Sequence, residues 1–357
     1  MAQVLNKENL LDRSSSEIPC FSEANRAVWD DRRPTKNQHY VWRYYLWDWS
    51  CDGGVHIWRR KRGTPAERGK LKHTASFEMG YAIPNLSIDE MREVNARSQI
   101  ICPDVVLRRT SFSSYLYSML IRKLNESMSD ADACCEYALE EKMLTDEARM
   151  RLAFRMKMDA HELPSGYLYE ETRIAVEGLE SFMTIVEDDV KLIIWALRRG
   201  GRDILRDEVY SARFANYVFK QYYRTRKYFK VPKERASEDR IAFFLRMLEA
   251  DWIGRWYGNR GGLTYCFLPN QTSIPYLTSD QPVMNMCGDS TSWDMFFPVS
   301  RTLAVMLLPK GRFECAYRRF SHVGEDEVAA LNQILADAAT DEIYGISEAG
   351  LNDVAFN

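Results

Sequence analysis

The sequence predicts an α+β fold, with a central helical block packed on a small antiparallel sheet formed by an N-terminal hairpin and C-terminal strands. Three observations predict it. Short strand-like runs lie toward the two ends of the chain, as in Val55-His56-Ile57-Trp58-Arg59 and Thr302 to Leu308. The middle carries apolar residues at helical spacing: Leu179, Phe182, Met183, Val186, Val190, Ile193 and Leu197. Strands and helices do not alternate along the chain, which argues against a βαβ series.

Residues 1–34 are polar, with Ser14-Ser15-Ser16 and Asp30-Asp31-Arg32-Arg33, and read as an N-terminal arm. Residues 35–100 form an aromatic segment and a β-hairpin. Asp52-Gly53-Gly54 signals a turn, and Val55–Arg59 alternates as a strand does. The partner strand is expected at Ala75 to Ala82, across the basic link Arg59 to Gly63. Residues 101–260 are the mainly helical block. Leu116, Met119, Leu120 and Leu124 make a first stripe and Leu179 to Leu197 a second, stopped by Gly200-Gly201 after Arg198 and Arg199. Further helices are expected from about Asp207 to Tyr223 and about Asp239 to Asp251. Residues 261–357 hold strands at Thr264–Leu268, Ile274–Thr278, Phe296–Val299, Thr302–Leu308 and Phe313–Tyr317, then a closing helix over Glu325–Thr340. Pro275 restricts the second of these to an edge. Residues 35–357 are expected to form one composite domain.

Composition narrows the function. The formal net charge of -3 gives no bulk electrostatic footprint for nucleic acid. Local basic links remain, at Arg59 to Arg62 and Arg224 to Lys230, beside aromatic residues that can stack on bases. No apolar run is long enough for a membrane span, and no apolar stretch of a secretory signal is present. The eight cysteines form no CxxC pair, so reduced thiols and a cytoplasmic location are expected.

Several short motifs recur in order. His39-Tyr40-Val41-Trp42-Arg43-Tyr44-Tyr45-Leu46 opens the aromatic segment. Gln221-Tyr222-Tyr223-Arg224-Thr225-Arg226 ends a helix. Thr278-Ser279-Asp280-Gln281-Pro282-Val283 follows a strand, then come Phe297-Pro298-Val299-Ser300, and Asn332 before Ala338-Ala339. In this set the chain resembles a bacterial family known only as domain of unknown function 4238. Trp42 and Arg226 stand where that family's motifs carry prolines, and residues 101–170 read as an insertion against its pattern. The resemblance implies a shared scaffold and a shared set of polar positions. It implies no reaction.

The polar residues themselves suggest chemistry. Asp280 lies in a turn that would aim its carboxylate out of a strand end, as a catalytic acid or a metal ligand, although an Asx-turn before Pro282 uses the same residues. Glu180 and Glu187 lie seven apart and share a helix face, so they could hold a divalent cation, Mg²⁺ or Mn²⁺. The alternative is a solvated helix face, with Glu187 and Lys191 as an i,i+4 ion pair. Gln221 and Arg224 share a face, and Arg224 could clamp a phosphate or sit in a buried pair. His39 is a candidate general base or a satisfied histidine at an element boundary. Arg43 and Asn332 complete the candidate substrate contacts.

Two main readings follow. In one the chain is a metal-assisted phosphodiesterase or nuclease with a role in bacterial defence or as a toxin. Glu187, Asp280 and Glu180 would hold the ion, His39 would activate water and Arg224 would hold the phosphate. In the other it is a non-catalytic protein- or nucleic-acid-binding module. His39, Arg224, Asp280 and Asn332 then form a structural network, and the surface around Trp42, Trp47 and Trp49 meets the partner. A metal-free hydrolase using Asp280 and His39 is a third arrangement. Whether the four groups His39, Glu187, Arg224 and Asp280 share an open cleft separates enzyme from scaffold.

Overall fold

The computed structural model describes residues 37–60, 66–78, 88–101, 183–184, 186–225, 227–228, 241–242, 245–250, 252–254, 262–287, 293–310, 323–352 and 354. The arm at 1–34, the stripe at Leu116–Leu124, the inserted segment 101–170 apart from Ile101, and the strand expected at Phe313–Tyr317 lie outside these residues. What is described combines helices with antiparallel sheets, the α+β class expected.

The main sheet contains β6 (Leu263–Pro269), β8 (Met284–Asn285), β9 (Met295–Ser300) and β10 (Leu303–Pro309), in the order β6-β10-β9-β8. Every pairing is antiparallel, with Val305 opposite both Phe267 and Phe297. Its two central strands are buried almost throughout. Phe297, Val299, Val305 and Leu307 belong to one core; Phe296, Ala304, Met306 and Leu308 belong to another. The sheet is therefore covered on both faces, which explains why these strands read as continuous apolar runs without polar alternation.

The first core joins Tyr45, Trp49, Ile193, Phe214 and Tyr217 to one face of the sheet. Helices at α3 (186–198) and α4 (Glu208–Tyr223) supply most of its helical side. Gly200 ends the first of these in the left-handed region, at φ 84°. Asp207 caps the second, accepting from the backbone N–H of Val209 at 2.9 Å and Tyr210 at 3.2 Å. Residues 245–250 form a further helical stretch, within the span expected. Helix α6 (Glu325–Ala338) packs Val328, Leu331 and Leu335 into the second core.

A second sheet ties the two ends of the chain together. Strand β3 (Gly54–Arg59) pairs with β2 (Ser50–Cys51), with β4 (Glu67–Lys70) and with β11 (Glu342–Gly345). Strand β11 also pairs with β7 (Thr278–Ser279). The hairpin partner of Val55–Arg59 is thus Glu67–Lys70, not the segment at 75–82. Within that segment Ser76–Glu78 (β5) pairs instead with Asn37–His39 (β1). The charged, largely exposed Glu-Arg-Gly-Lys of β4 carries no apolar alternation, so its pairing left no sequence signal. The strand expected at Ile274–Thr278 shrinks to Thr278–Ser279. Pro275 has no amide hydrogen to offer a ladder, and Tyr276 N–H bonds outside the sheet to the Arg301 carbonyl at 2.9 Å.

Candidate functional site

Strand β11 is the element around which the polar motif residues gather. Its neighbour β7 ends at Ser279, so Asp280 begins a turn directly beside the entry to β11. Asp280 is fully buried. Its Oδ1 accepts the N–H of Thr340 at 2.8 Å, and its Oδ2 accepts those of Asp341 at 2.8 Å and Glu342 at 3.2 Å. Its own N–H donates to the Glu342 carbonyl at 2.9 Å. The carboxylate points into the protein and holds the connection between α6 and β11. Burial pushes its pKa from 3.8 up to about 6, against the three amides and with Glu342 adding to the rise. The outward-aimed acid expected from the turn is corrected here: both oxygens are occupied by backbone donors.

Glu342 was not singled out from sequence, yet it is the second acidic residue of this region. Arg59 Nε donates to its Oε1 at 2.8 Å. The hydroxyls of Tyr344, at 2.6 Å, and Tyr40, at 3.2 Å, donate to its Oε2. Arg59 also pairs with Glu67. One carboxylate therefore joins β3, the aromatic segment and β11.

The Arg224 group lies on the other side of Tyr40. Arg224 ends α4 and is 1% exposed. Its Nη1 donates to Glu187 Oε1 and its Nη2 to the backbone carbonyl of His39. Gln221, one turn earlier, donates from Nε2 to the Tyr40 carbonyl at 2.7 Å. Burial raises the Glu187 pKa, and the Arg224 charge beside it opposes the rise. The sequence spacing suggested Lys191 as the partner of Glu187. The ammonium of Lys191 instead lies 5.5 Å from the centre of the Tyr44 ring, because Glu187 turns inward to meet the buried guanidinium.

His39 touches this group through its carbonyl. Its imidazole is half-buried and has its pKa lowered from 6.5 to about 4, first by burial and then by the charges of Arg224 and Arg43. A base that weak takes up a proton poorly at neutral pH, so the water-activating role expected for it has little driving force. Arg43, inside the motif, is exposed at the start of the short helix Arg43–Leu46.

The motif after β7 is equally engaged. Tyr45 and Thr278 hydroxyls share a hydrogen bond of 2.7 Å. Gln281 donates from Nε2 to the carbonyls of Tyr222, at 3.1 Å, and Val283, at 2.9 Å, and accepts from the Thr225 hydroxyl. Asn332 accepts the Leu277 N–H at 2.9 Å and donates to the Pro275 carbonyl at 2.9 Å. Trp49, fully buried, donates from Nε1 to the Tyr276 carbonyl at 2.7 Å.

Glu187, Arg224, His39 and Gln221 thus form one group, and Asp280 with Glu342 forms another. Tyr40 joins them: its carbonyl takes Gln221 and its hydroxyl reaches Glu342. Asn332 sits apart, under the extended segment before β7. Glu180 lies outside the described residues. Among the described residues no group of three or more His, Cys, Asp or Glu is placed to hold a metal ion. Glu187 and Asp280, the two expected cation ligands that can be compared, belong to different groups and are spent on Arg224 and on backbone amides. Sequence reasoning missed Glu342, Tyr40 and Tyr344. The signal available was a Glu at the start of a short Ile-Tyr-Gly run, which alone does not distinguish a buried anchor from a surface residue.

This is an α+β scaffold in which Gln221, Arg224, Asp280, Gln281 and Asn332 are buried in hydrogen bonds between distant segments. Residues 245–349 match the family described as protein of unknown function, DUF4238, and in this region the chain resembles it. The matched stretch includes Asp280, Asn332 and Glu342 but not His39, Glu187 or Arg224. No curated protein matches the chain, and no solved structure does. Among the described residues no helix is long and apolar enough to cross a membrane.

Proposed function

We propose that this chain is a non-catalytic binding module, in which the ordered polar motifs hold distant segments in register and the surface carries the recognition. The observation that carries the reading is Asp280: a fully buried carboxylate whose oxygens accept three consecutive backbone amides. A metal ligand or catalytic acid needs a lone pair facing substrate or ion. This one faces the entry to β11. Arg224 supports the same reading, since a phosphate clamp must reach solvent and its guanidinium is committed to Glu187 and His39. The metal-assisted phosphodiesterase reading would require both groups to be released from the core, at several kcal/mol for each uncompensated buried charge.

The test is direct. The full chain is incubated with labelled single- and double-stranded DNA and RNA, with Mg²⁺ or Mn²⁺, and products are resolved on denaturing gels. No cleavage is expected. Calorimetric titration with Mn²⁺ should give no heat that disappears in Asp280→Ala. Cleavage abolished by Asp280→Asn in a variant that still folds would overturn the reading.

A further inference from the structure

Two tryptophans stand out among the described residues because they are exposed: Trp47 at 63% and Trp195 at 46%. Most aromatic side chains near them are buried. Trp49 lies in the core, and Trp42 is half-buried against Tyr44 and Tyr217, with ring centres 4.9 and 6.0 Å away. The exposed aromatic surface is therefore not the Trp42–Trp49 run as a whole but Trp47, with Trp195 of α3 as a second exposed ring.

The two exposed rings flank one junction, the contact of α3 with Tyr44. Lys191, Trp195 and Arg198 follow one another at helical spacing on α3. Lys191 Nζ and Arg198 Cζ each lie 5.5 Å from the centre of the Tyr44 ring, so this side of α3 borders the turn Arg43–Leu46. Trp47 follows Tyr44 by three residues and Arg43 by four. Arg198 anchors the junction, donating to the Tyr45 carbonyl at 2.7 Å and the Val299 carbonyl at 3.0 Å. The next residue, Arg199, lies 4.5 Å over the Trp195 ring.

Cations border the two rings. Arg43, Lys191 and Arg199 are exposed. Acids lie nearby as well. Asp48 accepts the Arg301 N–H at 2.8 Å, and Asp203 pairs with Arg206. Asp188 is exposed one turn before Lys191.

We propose that this face binds single-stranded nucleic acid, with bases stacked on Trp47 and Trp195 and phosphates held by Arg43, Lys191 and Arg199. The proposal rests on the non-catalytic reading and names its partner. Exposed rings interleaved with cations are what an unpaired strand requires: flat surfaces for its bases and charge for its backbone. A second copy of the chain fits less well, because a two-fold interface would bring Arg43, Lys191 and Arg199 toward their own copies. An acidic protein segment would satisfy the cations but would leave two large planar rings without planar partners.

The probe is a fluorescein-labelled deoxythymidine decamer, with binding to the full chain read by anisotropy across a salt series. Binding should weaken linearly with the logarithm of salt concentration, as counterion release demands. Trp47→Ala and Trp195→Ala should each weaken it by about tenfold, the loss of one stacked base. Lys191→Glu with Arg199→Glu should weaken it further and flatten the salt dependence. Both tryptophans are exposed, so thermal melting of the two alanine variants should match the parent and show that the fold is intact. Absence of binding at the lowest salt, or alanine variants that bind like the parent, would overturn the proposal. A glutamate decamer that displaces the oligonucleotide more strongly than unlabelled deoxythymidine would also overturn it, in favour of an acidic protein partner. The same samples run on gels separate the two readings: a cut oligonucleotide after adding Mn²⁺ overturns the non-catalytic reading alone, whereas an intact but unbound one overturns this proposal alone.

Discussion

Asp280 Oδ2 accepts the backbone N–H of Asp341 at 2.8 Å, across 61 positions of sequence. The bond belongs to a set of three that fixes how the chain leaves α6 and enters β11. Replacing Asp280 with Asn keeps the shape and removes one acceptor. The new amide must set a donor against a backbone donor. The expected loss is about 2–3 kcal/mol of unfolding free energy, in the range for a buried group left unsatisfied. Urea denaturation of parent and variant measures it, and a change below about 0.5 kcal/mol would show that the three bonds do not hold the turn.

The pH dependence of stability carries a second prediction. The folded pKa of Asp280 is raised to about 6 by burial. Between about pH 4 and pH 6 the native state thus binds more proton than the unfolded chain at this site, so its contribution to stability falls as pH rises through that window. His39 acts oppositely. Its folded pKa is lowered to about 4, so the unfolded chain binds more proton between about pH 4 and pH 6.5, and stability rises with pH there. The two act in opposite directions in the parent. Asp280→Asn should therefore gain stability relative to the parent as pH rises from 4 to 6, and His39→Gln should lose it. Melting temperatures at half-unit pH steps test both, and parallel curves for all three proteins would contradict the assignment.

Arg224 and Glu187 are expected to behave as a coupled pair. Glu187→Gln leaves a buried guanidinium without its counter-charge, and Arg224→Met leaves a buried carboxylate alone. Each single change should cost about 3–5 kcal/mol. The double variant should lose less than the sum of the two, with a coupling of about 1–3 kcal/mol in a double-mutant cycle. Additive losses would mean that the ion pair contributes no mutual stabilisation.

Gly254 tests the packing of two helical segments. A Cβ added there would lie 2.5 Å from the Asn216 Cα, a backbone atom of α4 that cannot rotate away. Gly254→Ala should separate the segments and cost about 1–3 kcal/mol, as overpacking does. Thermal unfolding reads the loss. A melting temperature equal to the parent's would mean that the contact is looser than described.

The legible parts of this chain were those with strong local patterns. The apolar stripe through Val186, Val190 and Ile193, the Gly200-Gly201 stop and the runs around Phe297 and Val305 each announce their element through periodicity or turn chemistry. Strands β4 and β11 did not. Glu67–Lys70 has no apolar face, and Glu342–Gly345 is short and opens on a buried carboxylate that local pattern would assign to the surface. Their register comes from pairing with β3, more than 280 residues away from β11 in sequence.

The candidate residues divide in the same way. The ordered motifs containing His39, Gln221, Arg224, Asp280 and Asn332 were visible in the sequence as unusual polar positions. Their environment was not. Whether a carboxylate faces water or three amides, and whether a guanidinium meets a ligand or Glu187, depends on which distant backbone lies within 3 Å, a short-range condition that no neighbouring residue encodes. The sequence by itself determined the α+β class, the limits of the helix that ends at Tyr223 and part of the polar set, without Glu342. The tertiary structure alone decided that these groups face inward and that Trp47 and Trp195 face out, because burial is a property of the packed chain and not of any segment of it.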